Sequence, residues 1–324
     1  MLFVNATPYP AALPRSALDD TRSCASVVAR VTYDLEDTGR LVPAAAQPWT
    51  VSTAPFDSPH GPREADGPFL KGGVDLYLFG HARAPYKRPA RSVDVTFAVG
   101  TFTRRAIVHG NRHWRKQSKG VYEASPASEF VEMALTRTHA YGGTVRWDGL
   151  TLPWAQNPAG KGFWIDEERV EGVPLPNLEE PDRPMRAWLD RPPVCGFGFC
   201  PVENAERFLA GVETNEKKTE IAEVRPRFFN TAFPPMVAPR AEPGDSVIIA
   251  GVVHQDKVRF SVPPPPFELL LRFGEKKVRR LPRVDEIGVE VDDKRVFVTF
   301  RFGFRYVVRR GERREATLVL REAS

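Results

Sequence analysis

Apolar residues at Val27, Ala29, Val31 and Tyr33 alternate with polar or small neighbours, and Asp37-Thr38-Gly39 then supplies a turn. This period of two predicts a strand. The same period recurs at Val93, Val95, Phe97 and Val99. Gly100 turns the chain there and residues 102–108 return it, which predicts a hairpin. A short apolar strand is expected at 75–80. Towards the end the pattern is denser. Residues 247–253 form a nearly continuous apolar run, and Val258, Phe260 and Val262 alternate up to four consecutive prolines at 263–266. Strands at 267–273, 287–291, 296–304, 306–308 and 316–320 are expected to follow as a meander, with turns at Asp292-Asp293-Lys294 and Arg310-Gly311-Glu312. Residues 203–210 are the best helix, with 217–223 as a continuation. The pattern therefore predicts one mainly β chain over residues 1–324. It is β-rich at 20–122, irregular at 123–239 and β-rich again at 240–324. The simplest architecture is an antiparallel β-sandwich built from both ends of the chain, with little helix.

Composition sharpens this picture. The chain has 324 residues and 31 prolines, about twice the usual share of roughly 5%, which disfavours long helices. Prolines crowd the stretch 43–73, which has few strand signals. Gly, Pro and Trp crowd the stretch 141–181, where neither strand nor helix period lasts. Trp147, Trp154 and Trp164 carry enough apolar area to hold such a segment in place, so it reads as a long ordered loop. Net charge is +5. Between Arg272 and Arg314 there are 14 Lys and Arg against 7 Asp and Glu, a local +7, so the rest of the chain stands at −2. Such a region suits nucleic acid, lipid headgroups or an acidic partner; the alternating pattern reads more simply as a solvated strand face. Three Cys fit a reducing compartment. The first residues lack the charged and apolar regions of a signal peptide, and no apolar run reaches a membrane span. The expectation is a cytoplasmic protein without membrane insertion.

No complete catalytic or metal set is visible. His109 and His113 flank a Gly-Asn turn rather than share a helical face. His139 reads as a buried, hydrogen-bonded residue. Cys195 and Cys200 lie in CGFGFC without a nearby base, and the string reads as an aromatic-glycine turn. Asp166-Glu167-Glu168 and Glu179-Glu180 read as solvated carboxylates. Residues 157–162 resemble a phosphate-binding loop in composition alone. The Arg225-Pro226-Arg227-Phe228-Phe229-Asn230 string could stack on a base, but reads better as core anchors. No enzyme, cofactor, metal or nucleic acid is expected.

Six strings, in order, resemble a known family: SVDVTFAVG followed by HGNRHW, with Asn111 in the place of an Asp; EMALTRTHAYGG; NPAGKG; GVPLPNLEEP; PPVCGFG; and RPRFFNTA. Together they resemble the bacterial domain of unknown function 2169 family over roughly residues 20–262. The resemblance implies an adaptor, or chaperone, that loads a type VI secretion effector with a PAAR-like domain onto the spike, with the spike protein as a second candidate partner. The strings CPVENAERF and IAEVRP depart from the family pattern. An adaptor needs a shaped surface, and the middle of the chain offers one. There Gly142, Gly143, Gly160 and Gly162 would admit a partner's backbone, and Tyr141, Trp164, Leu175, Pro176, Phe228 and Phe229 would anchor it. Asn157, Asn177 and Asn230 would satisfy backbone groups, and exposed Glu179 and Glu180 would add charge. The segment 141–181 and the string 227–230 are expected to lie together. The alternative is a carbohydrate-binding or carbohydrate-hydrolysing β-sandwich, with Trp154 and Trp164 as sugar platforms near Asp166 and Glu167.

Overall fold

A computed structural model describes residues 1–202, 204–215, 220–255 and 257–321. The protein is mainly β, as expected, with one short α-helix among the described residues, Ala205–Gly211. Asn204 caps that helix by accepting from Arg207 N at 2.9 Å. The continuation expected at 217–223 is absent where it can be described: Ile221–Val224 is a strand paired with Val212–Thr214, and 217–219 lie outside the described residues.

The expected hairpin is present as Ser92–Val99 and Phe102–His109, in register from Ser92↔His109 to Val99↔Phe102. It sits in a five-stranded sheet with Leu178–Glu179 on one side and Ser246–Ala250 and Lys257–Ser261 on the other. The C-terminal strands do not form a meander. They leave as hairpins to three different sheets. Ser246–Ala250 and Lys257–Ser261 join the five-stranded sheet. Phe267–Phe273, Lys276–Arg280 and Arg314–Leu320 join Leu2–Ala6 in a four-stranded sheet. Arg283–Glu290 and Arg295–Val307 enter the largest, eight-stranded sheet. The prolines at 263–266 carry no backbone N–H to continue a ladder, and the chain changes sheets there.

The largest sheet joins the two ends of the chain. Arg295–Val307 pairs antiparallel with Arg22–Leu35 along its length, from Arg295↔Asp34 to Val307↔Arg22. Arg283–Glu290 lies on its other side and pairs parallel with Val74–Phe79. The apolar face carries Val27, Ala29, Val31, Leu76, Leu78, Ile287, Val298 and Phe300, all fully buried. The opposite face would meet water in a simple sandwich. Here the proline-rich stretch 43–73 crosses it, with Ser26 Oγ donating to Pro68 O at 2.7 Å and the Thr32 backbone bonded through Gln47.

That second face carries charge. Register places Arg30, Thr299, Glu286 and Asp75 side by side across four adjacent strands. Asp285 joins them because a bulge between Val284 and Glu286 breaks the alternation, so two consecutive carboxylates reach the same cation. The covering stretch contributes Arg63, Asp66 and Lys71. With Arg301 this makes four cations and four anions, all buried. Lys71 Nζ bridges Asp75 and Glu286 at 2.6 Å each. Glu286 also accepts from Arg63 at 2.6 Å, Arg30 at 3.0 Å and Thr299 Oγ1 at 2.6 Å. Arg301 Nε holds Asp285 at 2.9 Å. Asp75 further accepts from Asn230 Nδ2 and Thr231 N, each at 2.9 Å.

Burial alone would raise the Glu286 carboxyl; Arg63, Lys71 and Arg30 overcome it and hold the group well below its ordinary 4.5. Burial alone would lower the Lys71 ammonium; Asp75, Glu286 and Asp285 instead hold it above its ordinary 10.5. The carboxylate's contribution to stability is therefore present above pH 4.5 and is lost as pH falls through the folded value. The ammonium's contribution is present below pH 10.5 and is lost as pH rises through its folded value. Glu286→Gln leaves three buried cations short of one anion and should cost about 3–5 kcal/mol. Urea melts across pH should show that loss at neutral pH, together with a shallower decline below pH 4.5 than in the unaltered protein.

Candidate functional site

Beyond the charges, the same sheet face becomes aromatic. Tyr77, Phe79 and Phe297 stand on it. Trp49 from the covering stretch packs on Phe297 at 4.1 Å between ring centroids. His60 stacks on Phe79 at 3.9 Å, with ring planes 6° apart. His60 Nε2 lies 2.7 Å from Glu290, which also accepts from Trp49 Nε1 at 3.1 Å. These contacts pin a small hairpin, Phe56–Ser58 with Gly61–Arg63, against the sheet. The string 195–200 runs beside Val74–Phe79, with Leu78 N donating to Phe197 O at 2.9 Å.

Between these parts lies a groove of about 760 Å³. One wall is Pro59–Glu64, another is Leu135–Thr138, and the aromatic-glycine string 196–202 forms the third side. The lining is mostly apolar: Pro, Phe, Gly and Leu135. Arg63 enters it from the buried charges. Its Nη2 is committed to Glu286, its guanidinium lies 5.3 Å from the Phe199 ring centre, and its buried Nη1 has no hydrogen-bond acceptor among the described residues. Glu64 at the rim is taken by Arg207 through a two-pronged contact. A smaller cavity of about 110 Å³ lies alongside, lined by Lys71, Glu286 and Arg301 and by Phe228 and Phe229.

The sequence-predicted contact residues lie elsewhere. Of the fourteen, Tyr141, Gly142, Gly143, Asn157, Gly162, Leu175, Pro176, Asn177, Glu179 and Asn230 are buried, and Gly160, Trp164, Phe228 and Phe229 are half-buried. Tyr141–Gly142 pairs parallel with Lys161–Gly162. A Cβ on Gly142 would lie 2.1 Å from Asn157 O, and one on Gly160 would lie 2.4 Å from Asn157 Nδ2. These glycines therefore admit the protein's own backbone. Tyr141 and Leu175 belong to a second small core with Trp114, Val170 and Met185, against which Trp154 and Trp164 pack. Asn177 bonds His109 O at 2.9 Å and Asn111 Oδ1 at 3.2 Å, so the HGNR and LPN strings hold one another.

Asn230 fastens Gly72, Gly73 and Asp75, and Phe229 stacks on Phe69 at 4.6 Å. Among the described residues no hydrogen bond, ion pair or ring contact joins the segment 141–181 to the string 227–230. Both nevertheless stand behind the groove. Asn157 Nδ2 donates to Arg137 O at 2.8 Å and so fixes one wall. Asn230 fixes the approach to Thr231, which lines the groove.

Other expected residues are placed as follows. His139 is half-buried and bonded to Ala134 O at 2.8 Å. Burial pushes the Cys195 and Cys200 thiols up to about 12, with Glu180 adding to the effect at Cys195. Glu167 and Glu168 are exposed, as expected, but Asp166 is half-buried and accepts from Glu168 N at 3.0 Å. Glu179 and Glu180 are buried instead. They are only 4% and 7% exposed: Glu179 lies 3.1 Å from Arg112 and 3.4 Å from His109, and Glu180 is clasped by Arg104. The string PNLEEP has the composition of a solvated turn, but Leu178–Glu179 is a strand at the sheet's end, and its side chains face the protein. Among the described residues no three His, Cys, Asp or Glu side chains converge as a metal would need, and no helix is long and apolar enough to cross a membrane.

The fold and site define a mainly β protein with a preformed apolar groove whose walls are held from behind by buried polar residues. A family model described as an uncharacterized protein conserved in bacteria (DUF2169) matches residues 20–301, and the chain belongs to that family. The match runs beyond residue 262, where the sequence resemblance stopped, into the strand Arg295–Val307. No curated protein and no solved structure matches the chain.

The burial of Glu179 sets an expectation. Glu179→Lys removes the buried carboxylate facing Arg112 and His109 and sets a second cation beside Arg112, and should cost at least about 3 kcal/mol. Glu167→Lys, on an exposed turn, should stay within about 0.5 kcal/mol. Thermal and urea melts of the two variants check the contrast.

Proposed function

We propose that the protein is a non-enzymatic adaptor that binds a type VI secretion effector, through a PAAR-like domain, and helps to load it onto the spike protein. The proposal joins two supports. The first is the likeness of six strings to the DUF2169 family, a resemblance that implies such an adaptor. The second, which carries the site, is the groove. Its volume is large enough for several side chains of a partner, and its walls are fixed before binding, which lowers the entropy cost of association. Its floor supplies aromatic surface of the kind that dominates protein contacts. Among the described residues the one carboxylate on the lining, Glu64, is engaged by Arg207, which favours holding over acid–base chemistry.

The test is co-purification with the product of an adjacent effector gene. Gly198 is half-buried in the groove and a Cβ there meets only Phe79, at 3.5 Å, so Gly198→Leu fills the groove with little strain. It should weaken effector binding at least tenfold with an unchanged melting temperature. Leu150→Ala, at the exposed tip of a hairpin away from the groove, should bind normally. Normal binding by folded Gly198→Leu would remove the groove from the proposal.

A further inference from the structure

The strand Lys276–Arg280 is the last strand of the four-stranded sheet, and among the described residues it pairs only with Phe267–Phe273. Its sequence is KKVRR. The four cations are exposed and Val278 is half-buried. Register sets Lys276, Val278 and Arg280 opposite Phe273, Leu271 and Leu269, and sets Lys277 and Arg279 opposite Arg272 and Leu270. Cations therefore stand on both faces of the edge. Arg279 lies 3.6 Å from Glu268. Among the described residues no acidic side chain pairs with Lys276, Lys277 or Arg280. Exposed Glu275 is the one acid in the adjoining turn. The neighbouring turn, tied on by Gly274 N to Arg313 O at 2.9 Å, adds exposed Arg309 and Arg310.

An antiparallel edge leaves alternate backbone N–H and C=O groups free for another strand. Charge decides which strand can use them. A second copy of this chain would set cation against cation. A partner segment carrying Asp or Glu on both faces would set opposite charges across every pair. We propose that Lys276–Arg280 is a docking edge for an extended acidic segment of a partner protein, added as a fifth strand. This site is separate from the groove and does not depend on the groove's role. Nucleic acid would use the cations but leave the backbone groups unused, and is therefore the less complementary occupant.

The probe is a fluorescein-labelled peptide, Glu-Glu-Val-Glu-Glu between Gly-Ser flanks, followed by anisotropy with the full chain. Four results are expected. The peptide binds, and binding weakens at least tenfold between about 0.05 and about 0.5 M salt. Lys277→Glu with Arg279→Glu, both at exposed positions, weakens it at least fivefold with an unchanged melting temperature. Amide exchange of residues 276–280 slows when the peptide is bound. A peptide N-methylated at alternate residues should bind at least fivefold more weakly, because it cannot complete the ladder. Three results would overturn the proposal: equal binding of the N-methylated peptide, unchanged exchange at 276–280, or tighter binding of a single-stranded oligonucleotide of the same charge.

Discussion

The interaction on which the rest depends is the bridge from Lys71 to Asp75 and Glu286. Two carboxylates stand side by side on neighbouring parallel strands, and in an uncovered sheet they would repel. The ammonium between them, 2.6 Å from each, comes from the proline-rich stretch that covers the face. Arg30, Arg63 and Arg301 complete the neutralisation with Asp66 and Asp285. Desolvating eight charged groups is costly, and such a cluster adds little net stability. It does select an arrangement. An apolar covering would slide, whereas these partners are satisfied in one placement of residues 63–71. That placement in turn fixes the hairpin at 56–63, and the hairpin is a wall of the groove.

Much of the fold was legible in the sequence because period two survives burial. The hairpin at 92–109, the helix beginning after Asn204 and the turns at 292–294 and 310–312 all carried local signals. The buried charges did not. Arg30 and Thr32 alternate with Val27, Ala29 and Val31 in the same way whether their face meets water or lies beneath another segment. Glu286 sat next to a readable strand, but the bulge that turns Asp285 inward has no pattern of its own. Glu179 and Glu180 were misplaced for the same reason: their string has the composition of a solvated turn, and only Arg112, His109 and Arg104, distant in sequence, make it an interior one.

The groove was illegible for a different reason. It is assembled from three segments far apart in the chain, none of which has a period. The string CGFGFC was visible as an aromatic-glycine turn, and that was the available hint. The segment 141–181 was recognisable as ordered, with its role inverted: its glycines and asparagines close the protein on itself. The division of labour is coherent. Residues such as Asn157 and Asn230 are buried, and they hold the backbone of the residues that form the groove. The groove's own residues, at 59–64 and 196–202, are distinct from these supports.

The pairing of Arg22–Leu35 with Arg295–Val307 has a consequence for how the protein is made. During synthesis the first of these strands leaves the ribosome more than two hundred residues before its partner. Until then its long hydrogen-bonding edge has no central neighbour, and Glu286, the hub of the charge cluster, is likewise still to come. Contacts this distant in sequence close slowly and leave apolar edges open to wrong pairings. The central sheet of this protein is therefore completed only after the strand Arg295–Val307 has been made. A chain cut short before residue 295 would retain the strand of its first thirty-five residues as a permanent open edge.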